Sequence, residues 1–170
     1  MRFFEDLQVG EKLTFNGLVV DATEAAEFAR RYDPEQVPQP NIYYSDGDGP
    51  HISRWLVAAV SWKMLANIAA TEPVQEAAFS QPSDLQWKHP VSPRDVLRLE
   101  AEVVELLPPR VLMRKHGVVR VKVKLLATGE AGLGTWHQDE SELVENVALT
   151  YSAELKARRR DEFTGKLTGF

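Results

Sequence analysis

Three stretches of this chain alternate between apolar and polar side chains at nearly every residue, and that period of two limits the possible folds more than any other feature. In "VLRLEAEVVEL", Leu97, Leu99, Ala101 and Val103 alternate with Arg98, Glu100 and Glu102. In "VVRVKVKLL", Val119, Val121, Val123 and Leu125 alternate with Arg120, Lys122 and Lys124. In "VALTYSAELKA", Val147, Leu149, Tyr151, Ala153 and Leu155 alternate with Thr150, Ser152, Glu154 and Lys156. Successive side chains of a strand point to opposite faces, so each stretch reads as a strand with one apolar face. Together they predict an antiparallel sheet buried on a single side. The acidic strand of Glu100 and Glu102 is expected beside the basic strand of Arg120, Lys122 and Lys124, with opposite charges facing across the ladder.

A one-sided sheet needs something to cover it. The segment "ISRWLVAAVSWKMLANIAA" is apolar on nearly every side, which predicts a helix buried on most faces, Trp55 and Trp62 among the core residues. A curled sheet around that helix satisfies both elements, giving an α+β domain with an antiparallel sheet wrapped around a central helix. Two further strands are expected, one at "KLTFNGLVV" and a short one around "DLQWKHPV". Between the first strand and the central helix, Asp21 and Glu24 have the spacing of a capping box, and "EAAEFARRY" supplies helix formers. That helix must stop at Asp33-Pro34, because proline cannot continue it and disfavours helical backbone before it.

The length of 170 residues fits one domain, read as 1–157 with a C-terminal tail over 158–170 whose three arginines form a solvated end. Twenty Lys and Arg against twenty-five Asp and Glu leave a net charge of −5, which argues against a nucleic-acid partner. There is no cysteine, hence no disulfide, thiolate nucleophile or cysteine-held metal. The opening "MRFFEDLQVG" lacks the layout of a signal peptide, and no apolar run approaches the roughly 20 residues that cross a bilayer. A cytoplasmic protein without a membrane partner is expected. His137, Asp139, Glu140 and Glu142 in "TWHQDESE" read as a solvated acidic loop rather than a metal site, and no phosphate-loop motif occurs. Neither a metal nor a cofactor is expected.

Four segments, in order, resemble one family. "FFEDLQVGEKLTF", "ATEAAEFARRYDP" ending on Asp33-Pro34, "ISRWLVAAVSWKML", and "LQWKHPVSPRDVLRLEAEVVE" with Pro90, Val91, Pro93 and Asp95 are similar to segments of the MaoC-like dehydratases, which include R-specific enoyl-CoA hydratases. The resemblance runs from about Phe3 to Lys156. It implies a hotdog fold, a homodimer or higher homo-oligomer, and an acyl-CoA or other acyl thioester as ligand. It also implies an Asp at the end of the first helix and a His five residues later around one water, which add that water to an enoyl thioester or remove it from a 3-hydroxyacyl thioester. Such chemistry needs a base, an acid and a donor for the enolate-like charge, and helix N-termini supply donors.

Asp33 stands at the family position, but five residues on is Pro38, which can neither take nor give a proton. His51, at the start of the central helix, is the candidate replacement. Of the family's glycines before that helix, Gly49 matches. Ser53, Tyr43 and Tyr44 are candidate ligand contacts. Two function classes follow: an acyl-thioester hydro-lyase with an atypical site, fatty acid metabolism being the expected setting, or a non-catalytic acyl-thioester-binding protein or inactive subunit of a hetero-oligomeric dehydratase. Read without the family, Asp33 is a helix-ending residue, His51 a loop residue and His89 a structural one.

Overall fold

A computed structural model describes residues 3–37, 51–71, 82–108, 116–130 and 143–160. Five strands and two α-helices follow the chain as β1 (Lys12–Val19), α1 (Ala22–Tyr32), α2 (Arg54–Thr71), β2 (Ser83–Trp87), β3 (Val96–Leu107), β4 (His116–Glu130) and β5 (Leu143–Arg158). Short 3-10 turns occupy Phe4–Asp6 and Pro34–Gln36. The strands form one sheet in the order β1-β3-β4-β5-β2, antiparallel at every pairing. No helix among the described residues is long and apolar enough to cross a membrane.

The alternation does what a period of two requires. Leu97, Leu99, Ala101 and Val103 of β3 and Val119, Val121, Val123 and Leu125 of β4 are buried. From α2, Leu56, Val57, Met64, Leu65 and Ile68 join them in one core. Each large aliphatic side chain removed from water contributes about 1.5–3 kcal/mol, so this shared core holds the helix on the sheet. On the outer face the expected charge pairing is realised, with Glu100 opposite Lys124 and Glu102 opposite Lys122. Arg98 reaches both Glu100 and Glu145, and Arg120 both Glu105 and Glu154.

Three expectations are corrected. Val147 does not share the buried face of β5, being 36% exposed. The register with β4 slips between Leu125 and Leu126, so Ala148 is an extra residue that reverses the phase of the strand beyond it. Trp55 is 61% exposed rather than core, because α2 presents a stripe of Trp55, Ala59, Lys63 and Asn67, spaced by four, away from the sheet. The arginines after β5 are partly exposed to solvent but are not a free end. Arg159 Nε donates to Glu5, and Arg160 forks onto Asp6 at 2.7 and 3.0 Å while its backbone N–H donates to Glu5.

Candidate functional site

The end of α1 is set by its own sequence. Asp21 caps the N-terminus by accepting the N–H groups of Thr23 and Glu24, at 2.8 and 3.1 Å. At the other end the Asp33 N–H closes the last turn on Ala29, and the Asp33 carbonyl then accepts from Gln36 as Pro34 starts the 3-10 turn. Asp33 thus ends one helix and begins the next turn with its backbone alone, and its carboxylate caps neither.

That carboxylate is used elsewhere. Ser53 Oγ donates to Asp33 Oδ2 at 2.6 Å, the short distance of a hydroxyl bonded to an ionised oxygen. Ser53 is 1% exposed and immediately precedes α2, where its carbonyl accepts the first helical bond from Val57. Among the described residues no hydrogen bond to the other Asp33 oxygen is present.

His51 lies two residues before Ser53 and makes no hydrogen bond to Asp33. Its Nδ1 is buried without a hydrogen-bond partner among the described residues. The ring lines a cavity of about 150 Å³ between the start of α2 and the end of β2. Gln36, Arg54, Lys88 and His89 supply the other polar groups of that lining, and Asp33 and Ser53 are not part of it. The structure therefore joins Asp33 with Ser53 and sets His51 beside a neighbouring cavity. Tyr43, Tyr44, Gly49 and the acidic segment of His137 lie outside the described residues, as does Pro38.

Backbone bonds hold the cavity walls. Ile52 N–H donates to the Val91 carbonyl at 2.7 Å, tying the chain before α2 to the turn after β2. The Lys88 and His89 N–H groups both donate to the carbonyl of Ala148, the bulged residue of β5. Within the turn, Asp95 closes on Ser92 in both directions, which gives the Pro-Val-x-Pro-x-Asp segment its shape. Trp87 Nε1 donates to the Arg54 carbonyl, and its ring meets Trp55 edge-on at 5.3 Å. His89 Nδ1 is 3.0 Å from the Pro90 carbonyl, which can only accept, so the proton sits on Nδ1 and a neutral ring presents a bare Nε2. Sequence reasoning read His89 as structural and passed over Lys88 and Gln36. The only available signal was two adjacent basic residues before Pro90, and it does not reveal a shared cavity.

No family model and no curated protein sequence matches the chain. Solved structures do. The MaoC-like dehydratase from Rhodospirillum rubrum superposes with a TM-score of 0.68 at 22% identity, over 94% of this chain and 99% of that one. The chain has the hotdog fold of the MaoC-like dehydratases. An (R)-hydratase from A. caviae involved in PHA biosynthesis shares the same hotdog architecture with a TM-score of 0.55 at 19% identity, over 92% of this chain and 99% of that one. The unliganded R-hydratase from Pseudomonas aeruginosa gives 0.56 at 16% identity, over 93% and 86% of the two chains. On this hotdog scaffold the Asp33–Ser53 pair sits where α1 meets the start of the central helix.

Proposed function

We propose that the protein is an acyl-thioester hydro-lyase, adding water to an enoyl thioester or removing it from a 3-hydroxyacyl thioester, with Asp33 and His51 as its acid/base groups. The observation that carries this reading is the Ser53–Asp33 hydrogen bond at 2.6 Å. It fixes one carboxylate oxygen and leaves the other to take a proton from water as the water oxygen bonds to the β-carbon. The α-carbon then takes a proton from the imidazolium of His51, and the proton held by Asp33 returns to His51 through solvent. The first N–H groups of α2 have no intrahelical acceptors and can stabilise the enolate-like oxygen. The unpartnered Nδ1 of His51 supports a role that only a ligand or water completes.

The same reading includes a homodimer. Its support is the exposed Trp55 on the stripe of α2, next to Trp87 on the edge strand β2.

One observation favours a second reading. His51 makes no hydrogen bond to Asp33, and Pro38 holds the position of the family histidine, so the protein could bind an acyl thioester without dehydrating it. Loss of absorbance of crotonyl-CoA and of longer, branched and aromatic enoyl-CoA substrates separates the two. Turnover that Asp33→Asn abolishes supports the hydro-lyase, and no turnover of any of them with retained thioester binding overturns it.

A further inference from the structure

We propose that the cavity between the start of α2 and the end of β2 holds the terminal carboxylate of a short acidic acyl group. The inference deepens the acyl-thioester reading, which supplies the molecule carrying that carboxylate. The cavity lining carries cations. Arg54 and Lys88 both line it, and neither has an ion-pair partner among the described residues. Arg98, Arg120, Arg159 and Arg160 differ in this respect, each resting on at least one carboxylate. No acidic side chain is among the described residues of the lining. A concave surface of one sign concentrates oppositely charged ligands.

Shape narrows the class of anion. A volume of about 150 Å³ matches a cavity that accepts benzene, so about six heavy atoms fit, enough for one carboxylate and the carbons behind it; a nucleotide does not fit, and a longer diacid leaves its second carboxylate outside. The lining also includes the apolar side chains of Val57, Trp87 and Val91, which favours a carboxylate on a short hydrocarbon over a bare phosphate. The planar guanidinium of Arg54 offers two parallel donors to a carboxylate, and Lys88 offers a point charge. With its Nδ1 proton committed to Pro90, His89 donates from Nε2 only as imidazolium. Arg54 and Lys88 are therefore the permanent cations. Ile52 lines the cavity and directly precedes Ser53, so a substrate whose thioester end lies at Asp33 has its far end within reach of this pocket.

Titration calorimetry of the full chain tests the site without relying on turnover. The ligands are glutarate, its neutral analogue glutaramide, and inorganic phosphate. Saturable binding of glutarate, no binding of glutaramide, and weakening by about tenfold in each of Arg54→Gln and Lys88→Gln are expected. Both side chains are exposed, and circular dichroism confirms that the variants fold. Equal binding of glutarate and glutaramide, or unchanged affinity in both variants, overturns the proposal. Binding of phosphate without binding of glutarate also overturns it and gives the cations to the carrier's phosphates. Glutarate binding in a protein that hydrates no enoyl thioester keeps the site and removes only the reaction.

Discussion

Ser53 and Asp33 are 20 residues apart in sequence and 2.6 Å apart at their oxygens, a bond that joins the end of α1 to the start of α2. Its loss has two separable consequences. Ser53→Ala removes the donor that orients the carboxylate, so under the proposed reaction kcat for enoyl-thioester hydration should fall by about tenfold, while Asp33→Asn, which would remove the proposed base, should cost about 10²–10⁴-fold. Ser53→Ala also lowers stability by about 1 kcal/mol, the net value of a hydrogen bond to a partly buried acceptor. Thermal unfolding beside an absorbance assay reads both. An unchanged melting temperature together with unchanged kcat would show that the bond does neither task.

Tyr151 and Ser61 make the core sensitive to alkali. Ser61 Oγ donates to the Tyr151 hydroxyl at 3.1 Å, with both residues buried. Burial pushes the phenol up to about 12 from its ordinary 10.0, outweighing the Ser61 bond, which pulls it down. The unfolded chain loses this proton first. The neutral phenol therefore contributes stability in full below pH 10, and that stability is lost as pH rises from about 10 to 12, by about 2–3 kcal/mol in total. Urea unfolding at pH 8 and pH 11 should show a smaller decline in Tyr151→Phe than in the native protein. Equal declines contradict the assignment.

Gly117 is fixed by contact rather than by backbone freedom. A Cβ there would lie 2.5 Å from the ring of Phe4, which packs into the core beside β4. Gly117→Ala forces the ring aside and should cost about 1–3 kcal/mol. Combining it with Phe4→Leu should cost less than the sum of the two single changes, because both act on one contact. Strict additivity in denaturant unfolding would mean that the ring moves without strain.

The two ends of the chain hold each other through charge. Two opposing influences act on the Glu5 carboxyl. Burial raises it, and the Arg160 N–H and the Arg159 guanidinium more than offset this, so it lies below its ordinary 4.5. A depressed carboxylate contributes stability above its unfolded value and loses it as pH falls through the folded one. Melting temperatures between pH 6 and pH 3 should drop further in the native protein than in Glu5→Gln. At neutral pH, Arg160→Gln should cost at most about 1 kcal/mol, and less in high salt, since these groups are solvated.

The legible part of the protein was the part whose pattern repeats. The buried faces of β3 and β4 could be read from alternation, and the end of α1 from Pro34. The outer-face pairing of Glu100 with Lys124 followed from two strands of opposite charge. Where the pattern is interrupted, reading failed. One extra residue at Ala148 turned Val147 outward, and a helix with apolar side chains on all sides gave no sign of which stripe, that of Trp55, the sheet would leave uncovered.

The candidate site divides in the same way. Asp33 was selected in sequence by the helix it ends and the proline that follows, because backbone geometry is a local property. Ser53 as its donor, and the meeting of His51, Arg54, Lys88 and His89 around one cavity, depend on bonds between distant segments. Ile52 to Val91 and the Ala148 carbonyl to Lys88 and His89 make those bonds. Local chemistry determines where a helix stops and which face of a strand is dry. Only the closure of the sheet over α2 decides which side chains become neighbours, since contacts between segments far apart in sequence form once the shared core is buried.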